Sequence, residues 1–281
     1  MSGILTVVGT PLGNLGDMSP RAVEALRQAD FIAAEDTRVT LKLLNHFEIK
    51  KPMISYFEHN RKFHGELICQ KIEAGENCAL VSDAGMPAIS DPGEDLVRLC
   101  GERGITVSVV PGPSALIAAL AVSGLPTGRF TFEGFLSTNK KSRRDHLEQV
   151  KNETRTIILY EAPHHLVGTL QELYQALGNR RMTLCRELTK KHETAFRTTI
   201  EDLIAFYKDQ KPLGECVLVI EGRSRKEMEQ ESQESWKDIS IEEHMAIYEN
   251  QGIARKEAMK MVAKDRGVTK RDIYQALLLQ K

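Results

Sequence analysis

The sequence predicts an α/β protein with two α/β domains, a parallel sheet in the first and a mixed sheet in the second, and a small helical domain after them. Short apolar runs alternate with amphipathic runs of helix length, which is typical of βαβ units. The sequence G-L-P-T-G at 124–128 interrupts this alternation and indicates a domain boundary. A polar, charge-rich run at 223–238 indicates a linker or a solvated helix, and only helical patterns follow it. We therefore expect domains at residues 1–125, 126–224 and 225–281.

Five strands are expected in the first domain, because five apolar runs have the length of a buried strand. They are residues 4–8, 31–34, 53–56, 78–81 and 106–110. A helical pattern follows each strand, and Ser19 with Pro20 supplies an N-cap and a first-turn proline for the first helix. The later helices are expected to run through residue 44, over about 63–74, up to residue 104, and over 115–122.

The second domain shows a similar alternation. Strands are expected at residues 129–133, 156–160, 182–186, 193–198 and 216–221. Helices are expected at 140–150 and 164–177, and another after Thr199, which has Asp202 at capping-box spacing. In the helical domain, Ser240 with Glu243 and Thr269 with Asp272 provide N-terminal caps, and Gly252 and Gly267 provide helix ends.

The sequence V-S-D-A-G-M-P-A-I-S-D-P-G at 81–93 is the most informative stretch. It follows a strand and precedes a helix, and it is longer than the roughly 2–6 residues that such connections need. Ligands of open parallel sheets bind just outside the carboxyl ends of the strands. Gly85 permits close backbone approach, and Pro87 and Pro92 stiffen the loop. The loop is therefore expected to hold a ligand; the alternative is a rigid connection with an Asp-Pro-Gly turn.

Composition excludes several classes of protein. The 281 residues carry a net charge of −1, so a nucleic-acid surface would have to be local. The five cysteines show no C-x-x-C spacing, which argues against zinc, and we expect no metal site and buried thiols in a reducing, cytoplasmic compartment. The longest apolar run, 115–122, is much shorter than the ~20 residues of a membrane span.

Familiar ligand and nucleophile motifs are absent from the sequence. No G-x-G-x-x-G follows the first strand, and G-x-x-x-x-G-K-[ST], G-x-S-x-G and H-E-x-x-H do not occur. The run Gly9 to Gly13 comes nearest to a phosphate loop, but Pro11 removes a backbone donor. We therefore expect a ligand held by backbone and small side chains from several loops.

Six motifs, in order, resemble those of the tetrapyrrole-methylase-like family. They are G-T-P-L-G-N-L at 9–15, A-E-D-T-R at 34–38, the run at 81–93, V-P-G-P-S-A at 110–115, Y-E-A-P-H at 160–164 and R-E-L-T-K at 186–190. The resemblance covers about residues 3–222, is greatest to the members that act on ribosomal RNA, and extends to the helical tail. It implies S-adenosylmethionine-dependent 2′-O-methylation of a cytidine ribose in small-subunit ribosomal RNA, free or in the assembled subunit. It also implies a homodimer and a cofactor folded into a cleft between the two α/β domains.

Carried over residue by residue, the resemblance implies a set of cofactor contacts. They are Pro11, Ser82, Asp83, Ala84, Gly85, Met86, Ile89, Ser114, Ala115, Glu161 and Leu188. The chain departs from the tetrapyrrole members, which tend to have Gly-Gly-Asp-Pro at the position of Ala84 to Pro87. This departure argues against a porphyrinoid substrate. It does not affect the expected cofactor contacts. A tetrapyrrole or diphthine precursor is the alternative substrate within this fold.

A ribose hydroxyl needs a proton acceptor, and the second strand ends beside two carboxylates. Asp36 is the first candidate for the base by topology and Glu35 the second. The alternative is that Asp36 only caps the following helix. Arg38 is expected to contact a phosphate, or else to pair with a carboxylate.

Basic clusters indicate where RNA would bind. The expected contacts besides Arg38 are Arg61, Lys62, Lys140, Lys141, Arg143, Arg144 and His164. Residues 251–281 add eight Lys/Arg against three Asp/Glu and resemble a helix-turn-helix-sized module. The alternatives are solvated helix faces, and a capping or packing role for His164. A protein of another class, a ligand-sensing regulator that binds nucleic acid without turnover, also fits these patterns.

Overall fold

The computed structural model describes residues 2–279 and divides into two compact units. One unit comprises residues up to 150 together with 155–221, and the other comprises 151–154 and the chain from 222 onward. Gln280 and Lys281, the end of the predicted basic tail, lie outside the described residues. The larger unit contains both predicted α/β parts, each with its own five-stranded sheet. The domain boundaries at 125/126 and 224/225 stay a prediction.

The first sheet is entirely parallel, as predicted. Its strands are β1 (Ile4–Val8), β2 (Phe31–Ala34), β3 (Met53–Ser55), β4 (Cys78–Val81) and β5 (Thr106–Val110). Their spatial order is β3-β2-β4-β1-β5. Every residue of β2 and β4 is buried, which explains why these central strands show continuous apolar runs rather than alternation.

Helices cover both faces of this sheet. They are α1 (Pro20–Gln28), α2 (Thr37–His46), α3 (Arg61–Glu73) and α4 (Gly93–Glu102). Along β2, Phe31 packs with α3 and α4 in one cluster, whereas Ile32 packs with α1 and α2 in the other. Because successive side chains of a strand point to opposite faces of the sheet, β2 contributes to the apolar clusters on both faces. Ser19 accepts a hydrogen bond from the Ala22 N–H at 3.1 Å, which confirms the predicted cap of α1.

The second sheet is mixed, again as predicted. Its strands are β6 (Phe130–Phe135), β7 (Thr156–Glu161), β8 (Arg181–Arg186), β9 (Thr194–Thr199) and β10 (Cys216–Ile220). The order is β6-β7-β10-β8-β9, with β6 parallel to β7 and the other pairs antiparallel. Helices α6 (Lys140–Val150), α7 (Leu166–Leu177) and α8 (Ile200–Phe206) pack on one face.

Helix α5 (Ala115–Ser123) joins the two sheets in sequence and packs on the second. Its residues Leu116, Ala119 and Leu120 share an apolar cluster with Ile158 of β7 and Val219 of β10. The β5–α5 connection therefore links a strand of the first sheet to a helix that packs on the second. Helix α7 begins at Leu166, two residues after the prediction, because the His165 N–H closes a turn on the Ala162 carbonyl at 3.0 Å.

The smaller unit is helical and has its own core. Its helices are α9 (Arg225–Ser235), α10 (Ile241–Glu249), α11 (Arg255–Asp265) and α12 (Lys270–Leu279). Its buried core residues are Met245, Ala258, Val262, Ala263 and Ile273. The predicted caps at Ser240 and Thr269 form, each within a reciprocal pair of hydrogen bonds to the acidic residue three positions later. Among residues 2–279 no helix combines the length and the apolar character needed to cross a membrane.

Candidate functional site

A cleft of about 390 Å³ lies where the loops of the first sheet meet the second sheet. The first sheet and its loops line it with Leu12, Glu35, Ser82, Asp83, Ala84, Gly85, Met86, Ile89, Ser90 and Asp91. The start of α5 adds its N-cap residue Ser114 and its first residue Ala115. The second sheet and its loops contribute Phe135, Tyr160, Glu161, Ala162, Pro163, Glu215, Cys216 and Val217. The carboxyl ends of β1, β2, β4 and β5 share one edge, so the site lies where an open parallel sheet binds ligands.

The β4–α4 loop, residues 82–92, is organised by the Asp91 carboxylate. This side chain accepts hydrogen bonds from the backbone N–H groups of Ala88 (3.0 Å), Ile89 (3.3 Å) and Gly93 (2.8 Å). Ala88 and Ser90 have φ of +64° and +66°, a left-handed conformation that is costly for residues with a Cβ. The loop therefore has the rigid Asp-Pro-Gly turn of the alternative interpretation, and it also lines the cleft.

Gly85 sits where this loop meets the chain that follows β1. Its N–H and carbonyl pair with the carbonyl and N–H of Thr10 at 3.1 and 2.9 Å. Gly85 has φ +82°, and a Cβ there would lie 3.0 Å from Leu12 and 3.3 Å from the Pro113 carbonyl oxygen. Both the backbone conformation and the close packing therefore require glycine.

The structure brings together nine of the eleven predicted cofactor contacts. Those that line the cleft are Ser82, Asp83, Ala84, Gly85, Met86, Ile89, Ser114, Ala115 and Glu161. Pro11 is buried and its neighbour Leu12 lines the cleft instead. Leu188 is buried in the apolar cluster around α5, so its side chain packs in the core rather than lining the cleft.

Several lining residues were missed from the sequence. Tyr160, Ala162 and Pro163 lie inside a quoted motif, which is the signal that identifies them in retrospect. The run Glu215 to Val217 carries no such signal. It lines the cleft because β10 is antiparallel to β7, which places Cys216 opposite Glu161.

The cleft is acidic. Among the described residues that line it are the carboxylates Glu35, Asp83, Asp91, Glu161 and Glu215, and no lysine or arginine. Burial raises the pKa of Glu35, and the charges of Asp83 and Asp91 raise it further. Burial also raises the pKa of Asp83. This electrostatic environment favours a ligand that carries positive charge.

Asp36 does not line the cleft and instead caps α2. Its carboxylate accepts a hydrogen bond from the Arg38 N–H at 2.8 Å and pairs with the Arg38 guanidinium at 2.6 Å. These hydrogen bonds lower the pKa of Asp36 to about 2, so it is a weak proton acceptor. The capping interpretation is confirmed, and Arg38 pairs with a carboxylate while remaining 87% exposed.

Glu35, the second candidate, does line the cleft. The strand end is fixed next to the β4–α4 loop, because the Asp36 N–H donates to the Asp83 carboxylate at 3.0 Å. A carboxyl group with a raised pKa is a stronger base than an unperturbed one. Of the two candidates, only Glu35 therefore has its side chain at the cleft, whereas Asp36 caps α2.

Arg143, predicted to contact RNA, faces the protein interior. Its side chain is only 16% exposed, pairs with Glu172, donates to Thr169 Oγ1 at 2.6 Å and lies 4.0 Å from the buried Glu161 carboxylate. Thr169 Oγ1 in turn donates to Glu161. We therefore correct this expectation: Arg143 packs inside the protein beside Glu161, a residue that lines the cleft.

The other predicted RNA contacts remain on the surface. Arg61 is partly exposed and pairs with Asp95 at 2.5 Å and with Glu58 at 3.2 Å. The exposed candidates are Lys62, Lys140, Lys141, Arg144 and His164. None of these residues lines the cleft. Within the described part of the chain, no group of three or more His, Cys, Asp or Glu side chains could hold a metal ion.

Comparisons with known proteins match most of this chain. Residues 5–204 match the family model described as Tetrapyrrole (Corrin/Porphyrin) Methylases. The chain is 50% identical over 277 residues to the Ribosomal RNA small subunit methyltransferase I of Synechocystis sp., covering 98% of each protein. It is 47% identical over 221 residues to the protein of that name from Thermotoga maritima, covering 79% of this chain and 99% of that protein.

Solved structures share the fold at low sequence identity. One is the uroporphyrin-III C-methyl transferase of Thermus thermophilus, solved in complex with S-adenyl homocysteine. Its TM-score is 0.54 at 19% identity, covering 77% of this chain and 97% of that one. This likeness shows a common architecture over about three quarters of the chain.

Proposed function

The chain belongs to the tetrapyrrole (corrin/porphyrin) methylase family, and we propose the reaction that it performs within that family. It is an S-adenosylmethionine-dependent methyltransferase of small-subunit ribosomal RNA. The group that we propose as methyl acceptor is the 2′-hydroxyl of a cytidine ribose. The observation that carries this proposal is 50% identity to a small-subunit ribosomal RNA methyltransferase over 98% of both chains.

The alternatives are not favoured. The structures of tetrapyrrole methyltransferases and of a diphthine synthase share the fold at only 16–19% identity, against 50% for the ribosomal RNA enzyme. The half-buried Glu35 carboxylate, with its raised pKa, lines the cleft, and such a group is more typical of a catalytic site than of a sensor without turnover. The enzyme is therefore the better interpretation.

The residues of the cleft fit S-adenosylmethionine. The cofactor carries a sulfonium and an ammonium charge, and lining carboxylates such as Glu35 and Asp83 supply the opposite charge. Gly85 leaves backbone exposed where a Cβ would meet Leu12, and Ile89 adds apolar surface. When bound, the cofactor supplies an electrophilic methyl group. We propose Ser82 to Met86, Ile89, Ser114, Ala115 and Glu161 as its contacts.

We propose Glu35 as the acceptor of the ribose hydroxyl proton. Its side chain lines the same cleft as the proposed cofactor contacts, and burial keeps it more basic than Asp36. Methyl transfer to oxygen needs little else from the protein beyond alignment, which supplies up to about 7–11 kcal/mol in well-oriented systems. Arg38, exposed beside this edge, is proposed to contact a phosphate.

Two further properties are proposed with the function. A cytoplasmic location follows from the ribosomal substrate. A homodimer is supported by the edge strand β5, where Val107 and Val109 are 37% and 53% exposed. An apolar, unpaired strand edge favours association with another chain.

The direct test is methyl mapping of small-subunit ribosomal RNA. RNA from cells that lack the protein should lose one ribose methyl group, and adding back the chain should restore it. Purified protein with S-adenosylmethionine should then modify that position in free ribosomal RNA or in assembled subunits. An unchanged methylation map would contradict the function, whereas loss of a base methyl group would contradict only the proposed ribose acceptor.

Charge removal on α6 tests where the RNA binds. Lys141→Gln combined with Arg144→Gln removes two exposed cations. The slope of log affinity against log salt should become shallower by about 1.4 for a single strand or 1.8 for a duplex, because each phosphate contact contributes about 0.7 or 0.9. Affinity for S-adenosylmethionine should not change.

Arg143→Gln is the matched control on the same helix. Because Arg143 pairs inside the protein, its loss should weaken cofactor binding through Glu161 and leave the salt slope of RNA binding unchanged. An unchanged RNA slope in the double variant would remove α6 from the RNA-binding surface. A shallower salt slope of RNA binding in Arg143→Gln would contradict the conclusion that Arg143 pairs inside the protein rather than with RNA.

A further inference from the structure

The helices α11 and α12 form a compact pair inside the smaller unit. They are joined by the four residues 266–269, in which Gly267 has φ +64° and Thr269 caps α12. Arg266 is used internally, since its guanidinium donates to the Ser240 carbonyl at 3.0 Å and also to the Ile239 carbonyl. The pair is therefore a fixed element of helix-turn-helix size rather than an extended tail.

The outer side of this pair is basic. Residues 255–279 contain seven Lys/Arg and three Asp/Glu. All three acidic side chains have local partners: Glu257 pairs with Lys260 at 2.9 Å, Asp265 accepts from Tyr248 at 2.5 Å, and Asp272 caps with Thr269. Little negative charge remains to neutralise the surplus of cations.

Four of these cations form what we call the basic surface. They are Lys256, Lys260, Lys270 and Arg271. Lys260 lies 2.9 Å from the Glu257 carboxylate and lowers the pKa of that group by a hydrogen bond, and the charges of Lys270 on α12 and Lys256 on α11 lower it further. Among the side chains that the structure describes, which do not include those of Glu229 and Glu231, no carboxylate lies at ion-pair distance from Lys256, Lys270 or Arg271.

The same helix exposes side chains suited to bases. Tyr274 is 54% exposed, and it lies three positions after Arg271, with the exposed Gln275 one position further. Residues at this spacing share one face of a helix. An exposed aromatic ring beside cations is the combination by which proteins stack on unpaired RNA bases.

The comparisons indicate that this unit is an addition to the catalytic core. The family match ends at residue 204. The Thermotoga maritima relative matches this chain over 99% of its own length but covers only 79% of this chain. This relative, which is also a small-subunit ribosomal RNA methyltransferase by name, thus has no counterpart to about a fifth of this chain, and that favours a role in substrate recognition over one in chemistry.

We propose that α11 and α12 dock on small-subunit ribosomal RNA, with the basic surface on the phosphate backbone and Tyr274 stacked on an unpaired base. The proposal rests on the proposed function and extends it to a second RNA contact outside the catalytic unit. Its role is to raise affinity for the substrate, because cations that contact phosphate supply most of the salt-dependent binding energy.

The test measures RNA affinity against salt for the full chain. Lys256→Gln with Lys270→Gln should make the salt slope shallower by about 1.4–1.8, for two lost phosphate contacts. Tyr274→Ala should weaken binding by about fivefold or more without changing the slope, and Tyr274→Phe should restore it, because stacking is worth about 1–3 kcal/mol per base. Single-turnover methyl transfer at saturating RNA should match the wild type in all three.

The matched control is Lys208→Gln with Lys211→Gln, two exposed lysines of the larger unit that give the same change in net charge. This control should retain the wild-type slope. Fluorescence of Trp236, which stacks on His244 at 3.6 Å, reports whether the smaller unit stays folded. Wild-type RNA binding in folded basic-surface and Tyr274→Ala variants overturns the proposal. Failure of the wild-type chain itself to bind or methylate the RNA contradicts the proposed function instead.

Discussion

Replacing Glu35 with glutamine is expected to slow single-turnover methyl transfer by about 10²–10⁴-fold, the usual contribution of a general base. The substitution keeps the size of the side chain and removes its basicity. Affinities for S-adenosylmethionine and RNA should change much less than the rate, because other carboxylates and backbone groups line the cleft. Rapid-quench measurement with saturating cofactor and RNA isolates this step.

The pH dependence provides an independent readout. Glu35 accepts a proton only when ionised, and its pKa is raised above 4.5, mainly by burial. The wild-type rate should therefore be constant at higher pH and fall as the pH decreases through that raised pKa. Glu35→Gln should lose this acid limb, since the group that titrates is gone.

Asp36→Asn is the matched control at the neighbouring position. Asparagine caps a helix as well as aspartate does, so the variant should stay folded and transfer methyl groups at nearly the wild-type rate. Asp36→Ala should lower stability by on the order of 1 kcal/mol through loss of the cap. A large loss of rate in Asp36→Asn with a normal Glu35→Gln rate would restore Asp36 as the base. Near wild-type rates in both would indicate that the proton leaves to water.

Gly85→Val is expected to weaken S-adenosylmethionine binding by about 10–100-fold. The left-handed backbone at Gly85 costs a β-branched residue roughly 1–3 kcal/mol, and each 1.4 kcal/mol corresponds to tenfold in affinity. The new side chain would also meet Leu12 and the Pro113 carbonyl at the edge of the cleft. Titration calorimetry measures the effect directly.

Gly128→Val is the control for a valine in place of glycine. A Cβ at Gly128 meets no atom within 4 Å, and the backbone there is not left-handed. This variant should bind the cofactor as the wild type does. If folded Gly85→Val binds S-adenosylmethionine with unchanged affinity, the β4–α4 loop is not part of the cofactor site. Equal loss in both variants would indicate a general effect of valine on folding.

The sequence by itself determined the order and type of the elements and the loops around the cleft. Fully buried strands such as β2 and β4 need continuous apolar runs, and helix starts such as those of α1 and α8 need local caps at Ser19 and Thr199. These requirements act between residues close in the chain, so they are visible in one sequence. The motif at 81–93 is also determined locally, because the Asp91 carboxylate within it accepts the hydrogen bond that fixes its turn.

The tertiary structure decided which neighbouring residues reach the cleft. Glu35 and Asp36 are adjacent, yet one lines the cleft and the other caps α2, because successive residues at a strand end point in opposite directions. Arg143 turns inward to Glu161 and Glu172, partners 18 and 29 positions away. The run Glu215 to Val217 enters the site only through the antiparallel pairing of β10 with β7. Such contacts between distant segments depend on strand order and helix packing, which local sequence patterns do not specify.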